Sequence, residues 1–326
     1  MTNDPHALRA LLGPGAALCH RAITGEHGVS LPPFTDHHVH LHLIDEARLA
    51  EGGIAGVVDL GGDPVEHARR EKRGIPRVAY AGAFLTAPGG YPVGRSWAPP
   101  EIAREVTDAS THPGVPGGAA TAVDEQASFG ASVIKVALNS AAGPVFDAAS
   151  LAAVVQVARE RGLPVLAHAE GDGMPQLALD AKVDGFAHTP FTGFVGRTFT
   201  AHAVAAGQVW ISTLAIHRDD PEAAEFARVN LAGFAAAGGR VLYGTDLGNG
   251  EQPVGVNAAE VAALDRAGVR GADLIAAMSD PWPLAEPPTG VSTFIPGPPP
   301  TRLDQVAAWL AFATVVPTEE LIHDEH

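Results

Sequence analysis

The chain has 326 residues, 46% of them hydrophobic and 18% charged, with a mean hydropathy of +0.10. That is enough apolar material for one large α/β unit or two ordinary domains. A formal net charge of −16 argues against a surface that tracks phosphate backbones, because such binding rests on excess Lys and Arg, so no nucleic-acid partner is expected.

Taken in order, the chain opens with a fairly apolar stretch ending at its single cysteine, Cys19, which leaves no internal disulfide to form. The stretch lacks a basic leader, carries Arg9 and is broken by Gly13-Pro14-Gly15, so it reads as neither signal peptide nor membrane span. A cytoplasmic location follows as the default. Residues 16–30 hold short strands around the turn-like Thr24-Gly25-Glu26-His27-Gly28.

Leu31-Pro32-Pro33 then halts any earlier element, and Phe34-Thr35-Asp36-His37-His38-Val39-His40-Leu41-His42 follows. In an extended strand, side chains alternate between faces, so Asp36, His38, His40 and His42 share one face. Two imidazoles spaced two residues apart on a rigid strand converge on one point, the geometry needed to chelate a metal. His42 lies on the same face, so the spacing alone leaves the pair open between His38/His40 and His40/His42. A polar strand end rich in histidine is the structural alternative.

Further apolar strands are predicted at residues 53–60, 77–85, 131–138, 163–169, 185–188, 209–216 and 240–246, with helical stretches in the gaps. The clearest helices are residues 147–161, closed by Gly162, and residues 221–237. Helical pieces are also expected at 64–74, 101–109, 121–129 and 257–279, the last interrupted by Gly268 and Gly271. Eight strands alternating with helices predict a (β/α)8 TIM-like barrel over residues 31–281. A doubly wound sheet is the alternative, but no G-x-G-x-x-G turn follows an early strand. Residues 281–300 are dense in proline and residues 303–316 are apolar again, suiting a helix or strands. The flanks, 1–30 and 282–326, are expected to form a small, reduced accessory β-layer.

Reactive groups of a barrel collect at the C-terminal ends of its strands. Lys135 sits inside the apolar VIKVAL run of the fourth strand, where an uncompensated ammonium is costly to bury. It could snorkel past the strand end or pair with an acid. It could also form a Schiff base, or take up carbon dioxide to become an anionic carbamate bridging two metals, which the nearby histidines favour. His168 ends the fifth strand, His188 the sixth and Asp246 the eighth. Each alone suits a structural group or a helix cap. Their common position at strand ends groups them.

With these residues in place, the chain resembles the amidohydrolase superfamily, specifically the members whose two metals are bridged by a carboxylated lysine. The resemblance spans roughly residues 31–281, and FTDHHVH looks like the family's Asp-x-His-x-His signature. It implies that His38 and His40 bind the buried metal with Asp246, since Asp36 then falls two before the first ligand. It further implies that the carbamate on Lys135 bridges to a more exposed metal held by His168 and His188. Zinc is the first expectation, with manganese, iron or cobalt as substitutes. The family often carries a larger β-sandwich from both termini, and here only short flanks are available.

The implied chemistry is hydrolysis of a small molecule at a carbonyl, by hydroxide made available near neutral pH, with Asp246 as catalytic proton acceptor and donor. An amide, lactam or imide is expected, and IKV on the fourth strand is similar to imidazolonepropionase-like or prolidase-like members. A lactonase or organophosphate-type esterase on the same site, a mononuclear deaminase and a catalytically silent binding barrel are the alternatives. Lys135 argues against the deaminase, and the filled ligand positions argue against the silent barrel. Substrate-binding candidates are Tyr91 and Trp97 on the loop at 86–100, His112 in the next loop and His217 beyond the seventh strand; Glu170 is a further polar neighbour. Arg95 reads as a solvated loop residue. His6, His20, His27, His67, His202, His323 and His326 read as surface residues. A membrane partner is not expected, and homo-oligomerisation stays open.

Overall fold

A computed structural model describes residues 4–324; His326 lies outside them. The first two strands, β1 (Ala17–Arg21) and β2 (His27–Leu31), form a hairpin. Ten strands follow: β3 (Phe34–Val39), β4 (Ile54–Asp59), β5 (Arg77–Tyr80), β6 (Phe84–Thr86), β7 (Ala103–Glu105), β8 (Ile134–Asn139), β9 (Val165–Glu170), β10 (Gly185–Phe186), β11 (Val209–Ile211) and β12 (Arg240–Leu242). The last three are β13 (Val291–Pro296), β14 (Thr314–Pro317) and β15 (Leu321–His323).

The fold is mixed α/β. Strands β3-β4-β5 make one parallel sheet, and β12-β11-β10-β9-β8-β6-β7 make another. Backbone hydrogen bonds join the two at both margins. On one side, Ser132 N–H, just ahead of β8, donates to Tyr80 O of β5 at 2.9 Å. On the other, His37 N–H donates to Tyr243 O at 3.0 Å and His40 N–H to Leu247 O at 2.8 Å.

Helices pack around the strands, and their starts are set by capping side chains. Asp147 accepts from Ser150 N–H ahead of the helix Ala148–Glu160. That helix buries Leu151, Val154, Val155 and Ala158, a spacing of three and four that keeps one stripe on the core. Asp220 and Asn257 cap the helices Pro221–Ala236 and Ala258–Arg266 in the same way.

Two expectations are corrected. The third strand is split at residues 81–83, where the Gln126 side chain accepts from Ala83 N–H at 2.9 Å and replaces a strand neighbour. The helical reading of 101–109 is replaced by a short 3-10 turn, Pro100–Ile102, and by β7, which pairs with β6. The reason is a shared spacing. Ile102 and Val106, both buried, fall on one face of a helix and equally on one face of a strand, and the open edge of β6 decides between them.

The two flanks meet in a five-stranded antiparallel sheet ordered β14-β13-β2-β1-β15. Cys19, Phe294 and Val316 form its buried cluster. The apolar stretch after residue 303 resolves into both expected forms, a short helix Val306–Leu310 and then β14.

Candidate metal centre

A cavity of about 640 Å³ opens beyond the C-terminal ends of the parallel strands, and His38, His40, Lys135, His168, His188 and Asp246 all line it. The strand rule therefore brings six residues from five separate segments to one place. His42 does not join them, because β3 stops at Val39 and the chain turns into a 3-10 helix, Leu41–Leu43, that leaves His42 exposed. Asp36 also departs from strict alternation. The pairing of β3 with β4 shifts register after Asp36, whose carboxylate turns to Thr245 Oγ1 at 2.5 Å and to His38 N–H at 3.1 Å. Burial raises its carboxyl to about 7, against those hydrogen bonds.

The tightest part of the site is His38, His40 and Asp246. His38 Nδ1 donates to Ala187 O at 2.8 Å, and His40 Nδ1 donates to Gly61 O at 3.0 Å. A carbonyl can only accept, so both protons are fixed on Nδ1 and both Nε2 atoms face the cavity. They lie 3.1 and 3.2 Å from Asp246 Oδ1, and one donor atom from each residue falls within 4.8 Å of the others. His38 Nε2 is buried without a hydrogen-bond donor or acceptor partner. Three lone-pair atoms gathered in a buried spot are unfavourable without a cation, and two imidazoles with a carboxylate suit a divalent ion that takes N and O ligands.

Electrostatics agree with this crowding. Burial, then the Lys135 charge, pushes His38 well down, and burial and His38 do the same to His188. Asp246 is held well below the usual carboxylate range, because His38, His40 and His188 outweigh its burial. His40 is raised: burial opposes its charge, and the neighbouring Asp246 carboxylate prevails.

The other half of the cavity is arranged differently. His188 Nδ1 lies 3.0 Å from Thr213 Oγ1, and His168 Nε2 lies 3.0 Å from Glu170 Oε2. Asn139 Nδ2 donates to the same Glu170 oxygen. The His168 and His188 rings meet edge to face, 4.9 Å apart, and the His38 ring stands 4.5 Å from His188. Lys135 is 1% exposed, with Nζ 5.6 Å from the centre of the Phe84 ring. Burial lowers its amine to about 7, against the attraction of Asp246 and Asp59. Thr213 and Asp246 both take positive φ, at 44° and 53°, so backbone strain concentrates at this site.

Of the substrate-binding candidates, Tyr91, Trp97 and His217 line the cavity, and so do Arg95 and Glu170. Tyr91 stacks on His168 with ring centres 5.3 Å apart, and Trp97 lies 5.9 Å from Tyr91. His217 packs on Phe191 at 4.4 Å, its Nε2 is buried and unpartnered, and burial lowers it to about 4. His112 is not brought in. It sits exposed on the loop before the helix Ala119–Ser128, where its N–H turns to Ser110 Oγ and away from the cavity. His67, read as a surface residue, is buried, stacked on Tyr80, with Nε2 3.4 Å from Asp59 Oδ1. Asp59 accepts from Leu41 and Gly61 N–H and so braces the turn whose carbonyl holds His40. Asp59 and Asn139, both strand-final polar residues, were open to the rule that found His168 and escaped it.

No family model matches the chain, and no curated protein matches it in sequence. Solved structures do match in fold. A. niger ochratoxinase is 20% identical over 90% of this chain and 82% of its own, with a TM-score of 0.68. A Xaa-Pro dipeptidase with methionine bound in its active site is 18% identical over 90% and 86%, with a TM-score of 0.67. A molinate hydrolase is 16% identical over 90% and 83%, with a TM-score of 0.62. The fold of this chain is the one these three enzymes share.

Proposed function

We propose that the chain is a metal-dependent hydrolase of the amidohydrolase superfamily, cleaving an amide, lactam or imide C–N bond in a small molecule. The observation that carries this reading is the convergence of His38 Nε2, His40 Nε2 and Asp246 Oδ1, with both imidazole protons held elsewhere by backbone carbonyls. On this reading the two parallel sheets form one (β/α)8 barrel over residues 31–281, and the flanks 1–30 and 282–326 supply the accessory layer. His38, His40 and Asp246 hold one divalent ion, zinc in the first instance, and His168 and His188 hold a second. Lys135 in its uncharged form would add through Nζ to the carbon of carbon dioxide with loss of one proton, and the resulting carbamate would supply the metal pair with an anionic oxygen ligand.

When bound, the metal pair supplies Lewis acidity toward a carbonyl and water of lowered pKa at neutral pH. The chain's own residues divide the remaining work. Asp246 receives the proton of the attacking water and returns it to the departing nitrogen, while Asn249 Nδ2 steadies the carboxylate by donating to Oδ2 at 2.8 Å. His217 offers its unpartnered Nε2 to a polar group of the substrate. Tyr91, Trp97 and Phe84 form an apolar wall that excludes bulk water from the reacting carbonyl.

The test is metal content per chain, for protein made with added zinc or manganese and bicarbonate, beside Lys135→Ala. About two metals in the wild type, falling to one or fewer in the variant, is the expected result. One metal in both would favour the mononuclear deaminase, and none in either would end the metal reading. Activity is then sought on Xaa-Pro dipeptides, N-acyl amino acids, lactams and imides, with lactones as the contrasting panel.

A further inference from the structure

A second group of metal-ligating side chains lies on the accessory sheet, and none of its members lines the cavity. His20 on β1 and His27 on β2 are direct partners across the antiparallel hairpin. Cross-strand neighbours of this kind hold their Cβ atoms about 5 Å apart, and the two rings stand 5.3 Å apart. Asp324, just after β15, brings its carboxylate to both. Oδ1 lies 2.7 Å from His20 Nδ1, and Oδ2 lies 3.3 Å from His27 Nδ1. The backbone of Asp324 is fixed in turn by its N–H donating to Leu18 O at 2.9 Å. One donor atom from each of the three residues falls within 4.8 Å of the others.

We propose that His20, His27 and Asp324 form a separate binding site for a divalent transition-metal ion of the zinc class. The donor set is two nitrogens and a carboxylate, which suits zinc, nickel or copper(II) and not the oxygen-only preference of magnesium or calcium. Without an ion, each Nδ1 proton takes the metal's part by bonding to the carboxylate. Ligation needs each neutral ring to carry its proton on Nε2 instead, a change of tautomer with no change of charge. His27 is 75% exposed and Asp324 33%, so water completes the coordination and the ion exchanges freely with solution. This distinguishes the site from the buried centre in the cavity.

The ion acts as a clamp. His20 and Asp324 are 304 residues apart in sequence, so ligation fastens the last strand to the first hairpin. Arg21 Nη2 on β1 and Glu320 Oε2, in the turn that leads into β15, are 2.7 Å apart and tie the same segments without metal. The sheet therefore stays formed when the site is emptied, and its variants remain folded.

The test uses protein that retains its cavity metals, titrated with zinc chloride, with bound zinc counted after gel filtration and thermal melts run in parallel. The wild type is expected to take up one zinc more than His27→Gln or Asp324→Asn, and to melt on the order of 5 °C higher with saturating zinc. Both variants are expected to lose that rise and at least tenfold in affinity while melting normally without zinc. Equal zinc uptake by all three proteins, or no uptake by the wild type beyond its cavity metals, overturns the proposal. The count is taken above the cavity metals, so failure here leaves the proposed hydrolase untouched.

Discussion

The two halves of the cavity differ in what holds their histidines. His38 and His40 are oriented by backbone carbonyls, which belong to the fold and accept only. His188 and His168 are oriented by Thr213 and Glu170, side chains that can rotate and, in the case of the hydroxyl, either give or take a proton. On the proposed function, the first half is a chelate whose geometry and tautomers are set before any ion arrives. The second half, on the proposed function, is completed only when Lys135 acquires a group the sequence does not encode. Rigidity thus lies where the ligands are all amino acids, and adjustability where one is not.

The largest effect should come from removing the carboxylate of the rigid half, which also carries the proposed proton transfer. Asp246→Ala is expected to lower kcat/KM on the order of 10³-fold and to reduce metal content, with a near-normal circular dichroism spectrum. Full activity would remove Asp246 from the chemistry. Gly61→Ala attacks the rigid half alone. Gly61 takes a φ of 156°, and a Cβ there would meet the Phe84 ring at 2.0 Å, so either that buried ring or the backbone whose carbonyl orients His40 must move. A loss of about 10 to 100-fold in affinity for the first metal is expected, with about 1–3 kcal/mol of stability, measured by chelator competition and by urea unfolding. Unchanged metal affinity beside a measurable loss of stability would show that the carbonyl is dispensable.

Thr213→Val is the counterpart on the adjustable half, because it keeps the shape and removes the hydroxyl from His188. About a tenfold loss for the second metal is expected, with the first unaffected; equal loss of both would erase the proposed difference. The smallest effect concerns Glu260, which accepts from Ala215 N–H and so supports the segment that carries Thr213. Burial raises its carboxyl to about 7, against hydrogen bonds from Ser212 and the backbone. Folding therefore favours the protonated form. Its contribution is complete below the ordinary value of 4.5 and is lost as pH rises through about 7. Asp36 is raised in the same sense, so Glu260→Gln should flatten part of the decline in melting temperature between pH 5 and 8. A slope identical to the wild type would show that Glu260 does not titrate there.

Much of this was legible in the sequence because strands and sites share one rule. A parallel strand that must be apolar along its length shows a polar residue plainly, as at His168 toward the end of β9 and Lys135 inside β8. The rule failed where spacing was ambiguous or where a partner lay far away in sequence. Ile102 and Val106 fit helix and strand alike, and only the edge of β6 selects the strand. His67 looked solvated within a polar stretch, yet Asp59 and Tyr80 draw it into the interior. His112 looked like a cavity residue by its loop, but a loop's direction is not written in its composition. The split in the third strand depends on Gln126, a residue of a later helix.

The five-stranded sheet also bears on how the chain is made. The hairpin of β1 and β2 is synthesised before every strand of the parallel sheets, yet its neighbours on either side, β13 and β15, are synthesised after them. Until then both edges of the hairpin carry unpaired backbone groups, the arrangement most open to wrong pairing with another nascent chain. Exposed His27 on β2 and the half-buried His20 and Arg21 on β1 put polar groups on those waiting strands. The same residues that later meet Asp324 and Glu320 thus guard the young hairpin against wrong pairing until β13 and β15 arrive.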